Sequence, residues 1–110
     1  MAKQIAVTPC TIANGATTSS RVLLGAGKLA GVRFPSAMTN TALAVYGATT
    51  ADGDLAALYD DAGSAIVVPV VAAAHVNLGW LQISAPYVAF VGSVAEGGDR
   101  ALDVVIETEV

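Results

Sequence analysis

The side chains able to do chemistry are few and scattered. His75 is the single histidine and Cys10 the single cysteine. Nucleophilic catalysis needs a nucleophile, a base and an orienting group together. With no GxSxG elbow and no second Cys or His, His75 reads as a structural residue. Cys10 reads as a small buried hydrophobe. A lone cysteine can form neither an internal disulfide nor a thiolate metal cage. Asp52, Asp54, Asp60 and Asp61 are dense enough to raise the question of a hard cation. Their spacing matches no EF-hand loop, so they read as solvated turn residues, with a calcium-binding loop as the alternative. Glu107 and Glu109 stand two apart and share one strand face, which suits a solvated edge better than an acid–base pair across a cleft. Trp80, Tyr87 and Tyr46 offer rings for stacking on sugars if exposed, but core or interface roles are the expectation.

The glycine motifs carry no more. Gly25-x-Gly27-x-x-Ala30 superficially fits a dinucleotide fingerprint, which works only where a helix starts and its N-terminus meets the pyrophosphate. Here Val32, Arg33, Phe34 and Pro35 follow, which is not a helix. Gly27-Lys28 fails as a phosphate loop because Leu29 stands where Ser or Thr belongs. No enzyme activity, no cofactor and no metal site is therefore expected.

The elements that must position these residues are short strands. Residues 55–71, LAALYDDAGSAIVVPVV, place two apolar runs around an acidic tip at residues 60–64. Asp supports a tight turn through its own side chain and Gly accepts positive φ. The run 66–71 is largely β-branched, which favours a pleated sheet. The stretch predicts a β-hairpin with a loop of about four or five residues. Its first arm, residues 54–59, also fits a short helix capped by Asp54; strand is the preferred reading. Residues 3–8 predict a first strand with Ile5 and Val7 on one face. Residues 9–20 read as loop or extended arm with a turn at Asn14-Gly15. Further strands are expected at 21–24, at 29–34 with Ala30, Val32 and Phe34 on one side, at 39–46, within 75–83 and at 87–91. Residues 72–74 read as a crossover between sheets, and residues 96–99 as an exposed turn. Residues 101–108 alternate, with Leu102, Val104 and Ile106 facing in. Val105 breaks the polar face and marks a possible contact.

Seven to nine short strands separated by turns predict an all-β fold: an antiparallel β-sandwich, jelly-roll-like. The expected organisation is an N-terminal strand or extended arm over 1–20 and a single sandwich domain over 21–110. A chain of 110 residues suits one domain. It is 55% hydrophobic and only 13% charged. Ala and Val supply most of this, so apolar surface is expected to remain after folding and to serve a partner. The longest apolar run, 65–74, is broken by Pro69 and falls well short of the roughly 18 residues of a spanning helix. No signal-peptide pattern opens the sequence, so synthesis and retention in a cytoplasm are expected. The net charge is −4, and the five basic residues are scattered. That distribution is not a nucleic-acid footprint.

Three phrases together carry a resemblance. Residues 29–35, LAGVRFP, resemble an "LAGI-x-x-P" segment. Residues 58–63, LYDDAG, resemble a hairpin of the same letters. Residues 99–106, DRALDVVI, resemble a closing "DR-x-L-x-L-x-L" strand. In this order the set resembles small structural proteins of tailed bacteriophages and prophages, over about residues 18–108. The loop at 47–54 is shorter than the longer polar segment of those proteins. The resemblance implies a virion component, and capsid decoration as its role. It implies no catalytic residues. The expected partner is the major capsid protein, with self-association into a homo-oligomer. No nucleic acid or membrane partner is expected. The expected location is the capsid surface after synthesis in the host cytoplasm. Strand addition by the arm 1–20 is the expected contact, through Ile5, Val7 and Ile12, with Phe90 and Val105 as further apolar contacts. On this reading, deleting residues 2–16 leaves a folded domain. Alternatives are a carbohydrate or host-surface binding module, and a tail or head–tail connector component.

Overall fold

The computed structural model describes residues 3–25, 27–78, 83 and 85–109. Among them the regular structure is all strand: β1 (Lys3–Ile12), β2 (Val22–Leu23), β3 (Lys28–Arg33), β4 (Ala42–Ala48), β5 (Ala56–Ala57), β6 (Val67–Pro69), β7 (His75–Asn77), β8 (Tyr87–Val91) and β9 (Arg100–Glu109). They form two antiparallel sheets, one in the order β1-β9-β3-β7, the other β2-β8-β4-β5 with β6 also on β4. The β-sandwich expected from the strand pattern is the architecture found.

The core lies between the sheets. β9 contributes Leu102, Val104 and Ile106, as the alternation predicts. β4 contributes Leu43 and Val45, β8 contributes Val88 and Phe90, and Phe34 follows β3; Phe34, Phe90, Leu43 and Val45 are fully buried. Residues 70–74 carry the chain from the five-stranded sheet to the four-stranded one, so the alanine run is the crossover. It turns with Ala73 at φ 56°.

The hairpin expected over residues 55–71 exists, but as an excursion from an edge strand. β5 pairs with Tyr46 and Gly47 of β4, and β6 with residues 42–44. Between them Leu58 N–H donates to the Val45 carbonyl (3.0 Å) and Val45 N–H donates to the Ile66 carbonyl (3.0 Å). Residues 59–65 thus loop out opposite the single residue Val45. Asp60 N–H donates to Ser64 O, and Asp60 Oδ1 accepts from Ala62 and Ser64 N–H. Gly63 takes φ 83°. Segment 54–59 is extended, so the helical alternative for it is overturned.

Three expectations are corrected. First, residues 9–12 are not a loop. β1 runs unbroken to Ile12, and all ten of its residues pair with β9. The Thr- and Ala-rich composition concealed that Cys10 and Ile12 alternate into the core. Residues 3–12 of the expected arm are therefore a built-in strand. Pro9 is tolerated because β1 is an edge. Second, β3 does not keep a strict alternation. The register slips between Leu29 and Gly31, a bulge at Ala30, so Leu29 joins Val32 and Phe34 inside while Ala30 is only half-buried. A Cβ on Gly31 would stand 3.0 Å from the Val76 carbonyl oxygen, which explains glycine where β7 crosses closely. Third, the turn at 96–99 is not wholly exposed: Glu96 is 1% accessible.

Candidate functional site

Glu96 is the most constrained polar group in the described structure. Its Oε1 accepts from Thr39 N–H (2.8 Å) and Arg100 Nε–H (2.9 Å). Its Oε2 accepts from Asn40 N–H (3.0 Å) and from the Asn40 side-chain amide. Burial alone would raise the carboxyl pKa. The bonds from Thr39 N–H, the Asn40 side chain, Arg100 and Asn40 N–H outweigh it and hold the pKa at about 2. The Glu96 main chain joins in: its N–H donates to Ala16 O and its carbonyl accepts from Gly15 N–H. One residue thereby ties the 13–16 turn, the start of β4 and the approach to β9 together. Gly92 belongs to the same cluster, since a Cβ there would collide with the Asn40 side chain. Each lone-pair direction of the carboxylate is spent on protein donors and none of the group is open to solvent. This is a structural clamp. The sequence offered Glu96-Gly97-Gly98-Asp99 as a turn, and nothing in that string announces the distant Thr39-Asn40 donors.

The residues considered for chemistry stay apart. Cys10 is buried, its Sγ 3.3 Å from Ser20 O, and burial raises its pKa. His75 is exposed on edge strand β7, opposite Arg33 of β3. Asp60 is a turn cap. Among the described residues no three His, Cys, Asp or Glu side chains gather as a metal site. Trp80 lies outside the described residues.

What remains is surface, and the two outer faces differ sharply in kind. On the four-stranded sheet the register builds rows: Ile5–Glu107–Lys28, Val7–Val105–Gly31–Asn77, and Pro9–Asp103–Arg33–His75. The first and third rows carry charges of both signs and the second carries none; Arg33 and Asp103 approach to 4.0 Å with both side chains half exposed, a pair worth little. On the five-stranded sheet the rows are Leu23–Tyr87–Ala48, Ala89–Tyr46–Ala57, Val91–Ala44–Val67 and Ala42–Pro69. No position in them is charged. Leu23 is 56% and Val67 42% accessible, whereas Ala89 and Ala48 in the same rows are buried and Tyr46 and Tyr87 are half-buried. Polar groups sit around its margin: Arg21 donates to Thr50 O, and Asp60 and Asp61 occupy the hairpin tip. Exposed apolar side chains bounded by polar groups have the anatomy of a docking surface. The signal was present in sequence: no charge interrupts 41–51, 65–74 or 85–95, apart from what the turns supply.

The five residues expected to contact a partner separate into two groups. Ile12 and Phe90 are fully buried, so no partner reaches them in the folded domain, and the expectation is corrected for both. Ile12 lies on β1 with its side chain in the core, and Phe90 faces inward on β8. Ile5 (69% accessible) and Val7 (60%) are exposed, and the half-buried Val105 lies beside Val7. Comparison with protein-family models, with curated proteins and with solved structures found no match to this chain.

Proposed function

We propose that this chain is a bacteriophage virion structural protein, a capsid decoration protein that docks on the assembled head. The observation that carries the docking part is the uncharged outer face of the five-stranded sheet. Such a face, with β8 and β2 on one side of Tyr46 and β5 on the other, is a poor surface to leave in water and a good one to lay on another protein. The virion part rests on the resemblance carried by residues 29–35, 58–63 and 99–106. The strand order supports a jelly-roll reading once β5 and β6 are taken as one interrupted edge strand, and jelly rolls recur in capsid and lectin domains. A subunit that binds the assembled shell but not free shell protein stabilises assembly by mass action. Repetition over a symmetric lattice adds avidity.

The test is co-sedimentation with assembled heads and, separately, with dissociated shell protein. Wild-type protein is expected to pellet with heads only. The double variant Leu23→Glu/Val67→Glu is expected to stay folded, because both side chains are exposed, and to lose at least tenfold in head affinity. Unchanged occupancy of the double variant rules out this face. A second reading, a carbohydrate-binding module, is favoured by one observation: Tyr46 and Tyr87 are diagonal neighbours on the same face. Saturable oligosaccharide binding lost in Tyr46→Ala and Tyr87→Ala, without head binding, selects that reading instead.

A further inference from the structure

One edge of the four-stranded sheet is the ten-residue β1, and its hydrogen-bonding parity is fixed. Thr11 N–H donates to Ser20 Oγ (3.1 Å) and Thr11 O accepts from Ser20 N–H (2.9 Å). Thr11 therefore directs its main chain away from β9. The β1–β9 register has no shift from Lys3 to Ile12, so every odd residue does the same. Lys3, Ile5 and Val7 present outward N–H and C=O groups, and Pro9 an outward C=O. Among the described residues no backbone hydrogen bond reaches these groups. The run is bounded at Thr11, which Ser20 already occupies. Ile5 and Val7 are also the most exposed large aliphatic residues described. An edge this long, unblocked and apolar pairs with another strand.

We propose that β1 pairs antiparallel with β1 of a second copy of this chain, about a two-fold axis passing through Ala6. The self-complementarity of the segment singles out this occupant. Pairing Ile5 with Val7 of the second copy places outward-directed groups face to face at every odd position. Lys3 N–H then meets the carbonyl of Pro9 in the other copy, so each copy's missing Pro9 donor falls at an end of the ladder, where it costs least. Ala6 meets Ala6 as a non-hydrogen-bonded pair, the closest approach in an antiparallel ladder, where a methyl group fits. Ile5, Val7 and Val105 of each copy merge into one apolar strip across the axis. No charged residue faces a like charge. The contact is isologous and closes on itself, so it makes a dimer and not a filament. It covers the edge and leaves the five-stranded face free, so it stands independently of head docking.

The test is the mass of the purified chain by sedimentation equilibrium over a concentration series. Wild-type protein is expected to pass from monomer to dimer. Ile5→Lys/Val7→Lys is expected to weaken the dimer at least tenfold with no loss of thermal stability at low concentration. Under mild oxidation Ala6→Cys is expected to form a disulfide-linked dimer, because paired Cα atoms about 4.5 Å apart allow the bond. Gln4→Cys, far from its own symmetry mate, is expected not to; buried Cys10 stays silent in both. A chain monomeric at every concentration overturns the proposal. So does a dimer indifferent to the two lysines, or cross-linking as efficient through Gln4→Cys as through Ala6→Cys.

Discussion

Deleting residues 2–16 abolishes cooperative folding. The expected result is a chain with no sigmoidal urea transition, rapid proteolysis and no sharp near-ultraviolet circular dichroism. The deletion removes all of β1, the longest partner of β9. It takes away the buried side chains of Cys10 and Ile12. Fully burying one aliphatic side chain is worth about 1.5–3 kcal/mol, and the uncovered faces of Leu102 and Val104 lose packing as well. It also removes the acceptor Ala16 O and the donor Gly15 N–H that hold the main chain of Glu96. Against a total stability of about 5–15 kcal/mol for a domain, these losses leave little. The sequence read alone predicts the opposite, a folded remainder without its arm. A deletion variant with a normal transition would return β1 to the status of a dispensable arm.

Substitution of Glu96 is the most damaging single change expected. Glu96→Ala removes an acceptor that serves Thr39 N–H, Asn40 N–H, the Asn40 amide and Arg100. Breaking a buried ion pair from one side costs about 3–5 kcal/mol. Glu96→Gln is not a mild replacement, because each carboxylate oxygen accepts twice. One of those oxygens would become an NH₂ group facing donors, leaving them unsatisfied. Both variants are expected to lower the urea midpoint strongly with an unchanged slope. A Glu96→Gln variant as stable as wild type would contradict the clamp. The same group sets an acid limit. The folded carboxyl is held at about 2, below its ordinary value of 4.5. Its contribution is therefore complete above about pH 4.5 and is lost as pH falls through 2. Urea midpoints measured from pH 7 to pH 2 are expected to fall mainly below 4.5, and to fall less in Glu96→Gln.

Much of the fold is legible in the letters because most strands obey local rules. The run 101–108 alternates, and the alternation is the burial pattern. The tip at 60–64 carries a turn residue at each position that needs one. Pro35 follows the last residues of a strand, and the alanines at 72–74 make the crossover. The failures are of one physical kind: each depends on a contact distant in sequence. The strand character of residues 9–12 comes from β9, about ninety positions away. The burial of Glu96 comes from Thr39 and Asn40. The bulge at Ala30 comes from matching β3 to β9 while β7 presses on Gly31. Of the expected contact residues, Ile5 and Val7 are on the surface because they take the outer face of β1, while Cys10 and Ile12 take the inner one. Ile12 and Phe90 are in the core because hydrophobicity by itself does not say which side of a sheet a residue faces. The uncharged outer face was visible only as missing charges, and it became a surface once the register joined Leu23, Tyr46, Tyr87 and Val67.

In the proposed function, the outer face of the five-stranded sheet is laid on an assembled shell. Electron cryo-microscopy of heads decorated with the wild-type chain tests it most directly. Ordered density is expected at repeated lattice positions, with Leu23, Tyr46 and Val67 against the shell and the charges of Arg33, Asp103 and Glu107 turned away from it. Heads bare of the protein, or density seated on the charged face, would contradict it.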